Sequence, residues 1–226
     1  MLTKPISNIT PFTLLDFPHK SACILWYAGC NMRCLYCYNP EIVLGKGTIN
    51  FDEVLRFLHK RKGLLDAVVF SGGECTIHKN IYEQIKQVKA LGFAVKVDTN
   101  GSKPELIKRL IEENLIDYVA LDFKALPNSF NEITQSKLFA PFEKSFQILQ
   151  KSNLPFEART TYHSELFSTN ELNNMIQYLE KNDYKGNYYI QNFRNNVATL
   201  GQLAYATSLK LDKLNKPVGF EIVVRN

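Results

Sequence analysis

Segments with strand-like and helix-like patterns alternate along most of the 226 residues, and this alternation predicts an α/β fold. At least six successive strand–helix units imply a parallel sheet with right-handed crossovers, closing into a partial (β/α)6 TIM-type barrel. An open doubly wound sheet is the structural alternative. In a β/α barrel the reactive groups belong at the C-terminal ends of the strands, so the residues that follow each strand are the first candidates for a site.

Short apolar runs rich in β-branched and aromatic residues mark the strands. The first run, SACILWYA, is followed at once by a glycine, and DAVVFSGG and FAVKVDTNG end in glycine-containing turns. The predicted strands span residues 21–28, 66–73, 93–101, 116–124, 155–161, 187–193 and 218–224. The last lies in the tail VGFEIVVRN, which matches no motif, and we expect it as an added strand beside the N-terminal segment.

The helices are predicted from capping residues and from apolar residues at helical spacing. Asn50 caps the first helix with Glu53 at the capping-box position, and Ser168 heads a second Ser-x-x-Glu box. Pro104 suits the first turn of another helix. The predicted helices span residues 50–63, 78–92, 103–114, 136–152 and 168–182, with a weaker helix over 197–211 that contains Gly201.

Neither linker composition nor any longer repeat suggests a second domain, so we expect one domain over residues 1–226. It divides into an N-terminal extension (1–20), the barrel core (21–193) and a C-terminal helix and strand (194–226). No apolar run approaches the ~18 residues of a membrane span. The first residues also lack the apolar core of a secretory signal. A cytoplasmic protein with no membrane partner is therefore expected.

Charge and cysteine content narrow the class further. The net charge is +5, but the basic residues are scattered, and the densest patch, at 59–62, ends a predicted helix whose dipole it complements. Nothing else resembles a nucleic-acid module, so no nucleic-acid partner is expected. The five cysteines are an odd number, which in a cytosolic chain favours thiolate chemistry or metal binding over disulfides.

Three of the cysteines, Cys30, Cys34 and Cys37, lie in GCNMRCLYCYNP, directly after the first predicted strand. Thiolates so close in sequence are expected to converge on one object at the C-terminal end of that strand. A structural zinc ion takes four ligands, so Cys23, Cys75 or a histidine would have to complete it. An iron–sulfur cluster with three protein ligands would keep one iron open, as reactive metal sites keep an open position.

The Cys-x₃-Cys-x₂-Cys spacing, with the aromatic Tyr36 before the last cysteine, resembles the signature loop of radical S-adenosylmethionine (SAM) enzymes. The resemblance implies a 4Fe–4S cluster on the three cysteines, with SAM chelated by the open iron. Reductive cleavage of SAM would release a 5′-deoxyadenosyl radical, which abstracts a hydrogen atom. The stretch SGGEC (71–75) is similar to the Gly-Gly-Glu-Pro motif of the same family, with Cys75 in place of proline.

Other strand ends carry charged side chains. Asp98 ends the third strand, and Asp122 and Lys124 end the fourth. Two carboxylates brought together need a cation or a donor between them, and Arg159, inside the fifth strand, also needs a partner. The resemblance implies that the aspartates lie near the methionyl carboxylate, with a monovalent cation as an additional ligand. The cofactor-binding candidates are Tyr36, Asn39, Gly72, Gly73, Glu74, Asp98, Thr99, Asn100, Asp122, Arg159 and Gln191.

Residues 13–43 resemble the start of the activating proteins of anaerobic ribonucleotide reductase and, more distantly, the activase of pyruvate formate-lyase. The resemblance implies hydrogen abstraction from a glycine of a partner glycyl radical enzyme, with a flavodoxin or ferredoxin as electron donor. The catalytic candidates are Asp16, which would position the glycine loop, and Lys124, which would supply positive charge.

Two alternatives stay open. One is a radical SAM enzyme for a small molecule, similar to 7-carboxy-7-deazaguanine synthase. The other is a non-catalytic iron–sulfur or zinc-binding protein.

Overall fold

The computed structural model describes residues 4–225 and confirms an α/β fold built on a mostly parallel sheet. Eight strands of this part of the chain form one sheet, and each strand neighbours the next in sequence. The first strand runs antiparallel to the second, and all later neighbours are parallel. The strands are β1 (Ile6–Thr13), β2 (Ala22–Tyr27), β3 (Ala67–Gly72), β4 (Ala94–Thr99), β5 (Tyr118–Asp122), β6 (Phe156–Tyr162), β7 (Asn187–Asn192) and β8 (Glu221–Arg225).

The sheet forms a partial barrel because its two end strands, β1 and β8, are not paired with each other. Helices connect the parallel strands from β2 to β7, whereas an irregular segment joins β7 to β8. The helices are α1 (Pro40–Leu44), α2 (Phe51–His59), α3 (Ile81–Ala90), α4 (Pro104–Glu112), α5 (Pro127–Thr134), α6 (Phe139–Gln150) and α7 (Thr169–Lys181). Both predicted capping boxes form, at Asn50 and at Ser168. α1 and α5 were not expected, although each begins with a proline suited to that position.

The side chains inside the barrel change from apolar to polar along the strand direction. Alternate residues of a strand point to the same face. On β2, Ala22 and Ile24 join a small apolar cluster with Phe17 and β3, while Trp26, two residues further, lines a cavity above it. On β4, Ala94 packs against the same cluster, and Asp98 lines the cavity. The N-terminal part of the barrel is therefore plugged, and its C-terminal mouth is open and polar.

The weak helix expected over residues 197–211 is wrong. The segment is irregular, apart from a short 3₁₀ turn at Leu211–Lys213. Gly201 and the β-branched Val197 and Thr199 are poor helix formers. The backbone finds other partners instead: the Gly201 N–H donates to the Leu35 carbonyl at 2.8 Å, and the Leu209 N–H donates to Asn192 Oδ1 at 2.9 Å.

The position expected for the tail strand is also wrong. β8 pairs in parallel with β7, with Asn187 opposite Glu221 and Gln191 opposite Arg225, and it does not lie beside the N-terminal segment. The N-terminal segment forms β1, which covers the other edge of the sheet next to β2. The expected division at 1–20, 21–193 and 194–226 stays a prediction, except that the helix expected in its C-terminal part does not form.

No helix within residues 4–225 is long and apolar enough to cross a membrane.

Candidate active site

A cavity of about 520 Å³ opens at the C-terminal ends of the parallel strands. Its volume is in the range of small-molecule and cofactor sites. All three cysteines of the loop line it, as do ten of the thirteen other site residues expected from the sequence. Those ten are Asp16, Tyr36, Asn39, Gly72, Gly73, Asp98, Asp122, Lys124, Arg159 and Gln191.

The cysteine loop is fixed by backbone hydrogen bonds on several sides. Gly29, with φ +85°, makes the turn after β2, and its N–H donates to the Ile42 carbonyl at 2.8 Å. The N–H groups of Arg33 and Leu35 donate to the last carbonyls of α5, at Thr134 and Ile133. The unexpected helix α5 thus has a clear role, because its C-terminal end holds the loop that carries the cysteines.

Two of the loop thiols, those of Cys30 and Cys34, have raised pKa values. Burial raises the pKa of the Cys30 thiol to about 12, and burial likewise raises the pKa of the Cys34 thiol. Cysteine binds metal as the thiolate, so a cationic group must displace these protons when it binds. Cys23 and Cys75, the extra sulfur atoms that a zinc site would borrow, are fully buried and do not line the cavity.

The residues at the cavity fit a cluster better than a single ion. Within residues 4–225, no group of three or more His, Cys, Asp or Glu side chains is arranged to hold one metal ion. An iron–sulfur cluster takes its thiolates on separate irons, so its ligands need not meet at one point. In addition, the Tyr36 hydroxyl is buried at the cavity wall and has no hydrogen-bond partner among residues 4–225. This hydroxyl is therefore free to hydrogen-bond to a water or to a group bound in the cavity.

Five charged side chains form a row on the inner faces of β4, β5 and β6. Lys96 Nζ lies 2.7 Å from Asp98 Oδ1, and Arg159 lies between the two aspartates, with Nη1 3.4 Å from Asp98 Oδ2 and Nη2 3.0 Å from Asp122 Oδ1. Lys124 Nζ lies 3.1 Å from Asp122 Oδ2. The signs alternate along the row, so each aspartate has a cation on both sides.

These contacts keep both aspartates ionised. Burial opposes ionisation of Asp98, but Arg159 and Lys96 together hold its pKa below the usual range. Burial also opposes ionisation of Asp122, and there Lys124 and Arg159 lower the pKa. Because protein cations already join the two carboxylates, their proximity gives no reason to add a monovalent cation.

Three expected site residues do not line the cavity. Glu74 is buried behind it and accepts hydrogen bonds from the β4 end: Thr99 Oγ1 donates to its Oε1 at 2.8 Å, and the Asn100 N–H donates to its Oε2 at 2.6 Å. Burial raises the Glu74 pKa. Asn100 in turn donates to Asn31 Oδ1 in the cysteine loop at 2.9 Å. The Glu74, Thr99 and Asn100 side chains therefore tie β3, β4 and the loop together, and their role as cofactor ligands stays a prediction.

The two glycines at the end of β3 allow β2 and the start of the cysteine loop to approach closely. A Cβ atom on Gly73 would lie 2.1 Å from the Gly29 carbonyl oxygen, and one on Gly72 would lie 2.3 Å from the Tyr27 backbone. Cys75, in the position of the family proline, is wholly buried and its sulfur lies 3.5 Å from the Phe70 and Asp98 carbonyl oxygens. It packs beneath the site and does not reach the cavity.

Several cavity residues were not predicted from the sequence. Lys96 supports Asp98 from below, and Trp26, Met32, Ser71 and Arg225 line the wall. Strand alternation gives the missing signal for some: Lys96 lies two residues before Asp98, and Ser71 and Trp26 lie at inward positions of their strands. Arg225 could not be placed at the cavity, because the sequence analysis expected β8 beside the N-terminal segment and not beside β7.

A cavity at the strand ends of a partial β/α barrel, with three thiols and a row of charges around it, defines a ligand-binding β/α-barrel protein. A profile of the radical SAM superfamily matches residues 24–166, from β2 to the loop after β6. The chain belongs to the radical SAM superfamily.

Individual relatives agree with this assignment. A candidate glycyl-radical enzyme activating enzyme of Methanocaldococcus jannaschii is 31% identical over 195 residues, which cover 83% of this chain and 79% of that protein. The pyruvate formate-lyase-activating enzyme of Clostridium pasteurianum is 28% identical over 55% of this chain and 54% of that protein. An S-adenosylmethionine-dependent nucleotide dehydratase of Lacinutrix mariniflava is 31% identical over 47% of this chain and 24% of that protein. The chain thus spans about half the length of the pyruvate formate-lyase-activating enzyme and less than half the length of the nucleotide dehydratase.

Solved structures share the fold at low identity. Streptococcus suis SuiB has a TM-score of 0.71 at 14% identity, over 88% of this chain and 47% of that chain. The structure of anSMEcpe with bound AdoMet has a TM-score of 0.63 at 21% identity, over 79% and 52% of the two chains. At these identities the likeness concerns the fold alone.

Proposed function

We propose that this chain is a radical SAM activating enzyme that forms a glycyl radical on a partner enzyme. The observation that carries the proposal is the shared cavity: the three cysteines line it, and Asp16 reaches it from an exposed apolar turn between β1 and β2. The similarity to the M. jannaschii protein, which extends over most of both chains, supports the same function.

Cys30, Cys34 and Cys37 are the residues that would hold a 4Fe–4S cluster. When bound, the cluster supplies the open iron that takes SAM and the electron that cleaves it to a 5′-deoxyadenosyl radical. Gly72 and Gly73 line the cavity, and their lack of side chains lets the β3 end pack closely against Tyr27 and Gly29. Arg159 and Lys124 supply positive charge where the SAM carboxylate would lie, and the two aspartates hold both cations in place.

The turn before β2 favours a protein substrate. Phe12, Leu14 and Leu15 are 55%, 65% and 89% exposed, and Asp16 directly after them lines the cavity. Contiguous exposed apolar residues of this kind are typical of protein–protein contact sites. Thr13 Oγ1 donates a hydrogen bond to Asp16 Oδ2 at 2.5 Å, which orients the carboxylate that lines the cavity. Asp16 is therefore proposed to position the glycine-bearing segment of the partner.

The proposed partner is anaerobic ribonucleoside-triphosphate reductase. A flavodoxin or ferredoxin is the proposed electron donor, and the cytoplasm is the proposed location. The resemblance of residues 13–43 to activating proteins of that reductase supports the choice of partner.

The test is an anaerobic incubation of reconstituted protein, SAM, a reductant and the purified reductase. Electron spin resonance should show a glycyl radical on the reductase only when all components are present. If SAM is cleaved but no partner radical forms, the activase function is wrong while the radical SAM assignment stands.

A second candidate is a radical SAM enzyme acting on a small molecule. Relatives named nucleotide dehydratases match about half of this chain, and Arg194 and Arg225 line the cavity, where they could bind phosphate. This candidate predicts that a nucleotide is consumed in the absence of any partner protein. Product analysis of a mixture containing only enzyme, SAM, reductant and nucleotides separates the two functions.

A further inference from the structure

The segment that follows β7 crosses the cysteine loop instead of forming a helix. The Leu200 N–H donates to the Cys37 carbonyl at 3.2 Å, and the Gly201 N–H donates to the Leu35 carbonyl at 2.8 Å. Both acceptors belong to the stretch that carries the second and third cysteines. We call residues 199–209 the strap. The strap lies outside the part of the chain that matches the radical SAM superfamily, which ends at residue 166.

Gly201 is the point of closest approach between the strap and the loop. A Cβ atom at this position would lie 2.8 Å from the Leu35 carbonyl oxygen, 2.9 Å from Leu35 Cβ and 3.0 Å from Leu35 Cα. Two of these are backbone atoms, which cannot move aside as a flexible side chain would. Gly201 does not have a positive φ, so close approach, and not backbone conformation, is the reason for glycine here.

The middle of the strap is anchored to the loop after β6. His163 Nε2 donates to the Ala204 carbonyl at 3.1 Å, and the Ala204 N–H donates to Glu165 Oε2 at 3.2 Å. His163 Nδ1 accepts from the Glu165 N–H at 3.1 Å, so the ring carries its proton on Nε2. The Thr207 N–H donates to Ser164 Oγ at 3.0 Å. Four hydrogen bonds thus fix this part of the strap and its anchor.

The segment after β7 supplies a second anchor. Asn195 makes two hydrogen bonds with Ala206: its Oδ1 accepts from the Ala206 N–H at 2.8 Å, and its Nδ2 donates to the Ala206 carbonyl at 2.9 Å. Next to it, the Arg194 N–H donates to the Tyr38 hydroxyl at 2.7 Å, and Tyr38 stacks on Phe193 with ring centroids 5.4 Å apart. The residue after Cys37 is therefore held from the same side as the strap.

The cysteine loop lies between α5 and the strap and forms backbone hydrogen bonds with both. α5 contacts it through the Arg33 and Leu35 N–H groups, and the strap contacts it through the Leu35 and Cys37 carbonyls. Leu35, between the proposed cluster ligands Cys34 and Cys37, therefore forms backbone hydrogen bonds with both elements: its N–H donates to α5, and its carbonyl accepts from the strap. We infer that the strap, through Gly201, is a positioning element that holds the Cys34–Cys37 stretch in the conformation that retains the cluster. The inference rests on the proposed cluster site but not on the partner enzyme.

The experiment measures iron loss from anaerobically reconstituted protein to a strong ferrous chelator, without SAM or partner. Gly201→Ala and, separately, Asn195→Ala should each speed iron release, by roughly tenfold, as is typical when groups that orient metal ligands are removed. Tyr205→Ala is the matched control, because this strap side chain is 74% exposed; it should release iron at the wild-type rate.

Hydrogen exchange of the cluster-free proteins gives a second measurement. The amides of Leu200 and Gly201 should be protected in the wild type and in Tyr205→Ala, and exposed in the two test variants at temperatures where all of them are folded. Wild-type iron release in both test variants, or the same loss in the control, overturns the inference. A wild-type protein that never takes up a cluster contradicts the proposed function instead.

Discussion

Arg159 organises the charges of the cavity, since within the described residues 4–225 it alone forms ion pairs with both aspartates. It lies between Asp98 and Asp122 and is 28% exposed. Without it, two half-buried carboxylates would face each other, each left with a lysine on its far side. The position is typical of a residue that serves both stability and ligand binding, because the guanidinium can join two carboxylates and still present N–H donors to a third.

We predict that Arg159→Met lowers the free energy of unfolding by about 3 kcal/mol, the usual cost of breaking a buried ion pair by removing one partner. Denaturant unfolding of the cluster-free protein measures it. Lys108→Met is the control, because Lys108 pairs with Glu112 on an exposed helix face, where such pairs contribute at most about 0.5 kcal/mol. Equal losses in the two variants would contradict the central role of Arg159.

The aspartates also make stability depend on pH. The pKa of Asp122 is lower in the folded protein than its ordinary value near 4, so folding favours its ionised form. This contribution is complete above about pH 4 and is lost as the pH falls through the folded pKa. Glu74 acts in the opposite direction because its pKa is raised, so a single variant must isolate the Asp122 contribution.

Asp122→Asn should therefore be less stable than the wild type by about 2 kcal/mol at pH 7, the size of a hydrogen bond to a charged group. The difference should shrink as the pH falls below about 4, where the carboxyl of the unfolded chain takes up a proton, and should be lost once the pH passes the lower pKa of the folded protein. Unfolding free energies of both proteins, measured between neutral pH and the acid limit of folding, test this. A difference that does not change with pH would show that the ionised carboxylate is not the stabilising form.

At the scale of secondary structure, the strand ends and most connecting helices were predictable, whereas α1, α5 and the strap were not. Asp98 and Asp122 could be placed together because each follows a clear apolar strand, and such strands end on one face. The strap could not be predicted. Its sequence has apolar residues at nearly helical spacing, and its irregular path depends on Asn192, Asn195 and Ser164, which lie far from their partners in sequence.

The turn between β1 and β2 is the element whose exposure is hardest to explain without a partner. Leu15→Ser should leave SAM cleavage and thermal stability unchanged, because the side chain is 89% exposed and makes little contact with the core. It should reduce the rate at which a glycyl radical forms on the partner. Leu64→Ser is the matched control: Leu64 is 65% exposed and lies in the loop before β3, and residues 60–66 of that loop do not line the cavity, whereas Asp16 of the β1–β2 turn does.

Leu15→Ser and Leu64→Ser are assayed in parallel for SAM cleavage and for the rate of radical formation on the partner. If Leu15→Ser forms the partner radical as fast as Leu64→Ser, the apolar turn does not contact the partner.

For the whole molecule, the sequence was enough to predict a partial barrel and a site at its mouth, because both follow from repeated strand–helix units. What it could not predict is how the ends of the chain complete the barrel. β1 and β8 lie at opposite edges of the sheet. The turn after β1 brings Asp16 to the cavity, and the last residue of β8, Arg225, also lines it. These contacts depend on tertiary packing, which no local pattern records.

The same limit explains the outcome for Glu74 and Cys75. The motif indicated that Glu74 belongs to the site, but only the packing of β3 against β4 shows that its carboxylate accepts from Thr99 and Asn100 and does not face the cavity. Cys75 could not be assigned from sequence, since a thiol next to a cysteine loop can be a ligand or a core residue. Its complete burial identifies it as a core residue.

The most direct test of the account is SAM cleavage by anaerobically reconstituted cysteine variants. With a strong reductant and no partner, the wild type should convert SAM to 5′-deoxyadenosine and methionine, detected by chromatography. Cys30→Ala, Cys34→Ala and Cys37→Ala should show no cleavage, whereas Cys23→Ala and Cys75→Ala, which alter buried thiols away from the cavity, should retain it. Tight zinc binding by the wild type without any cleavage, or loss of cleavage in Cys75→Ala with the fold intact, would contradict the account.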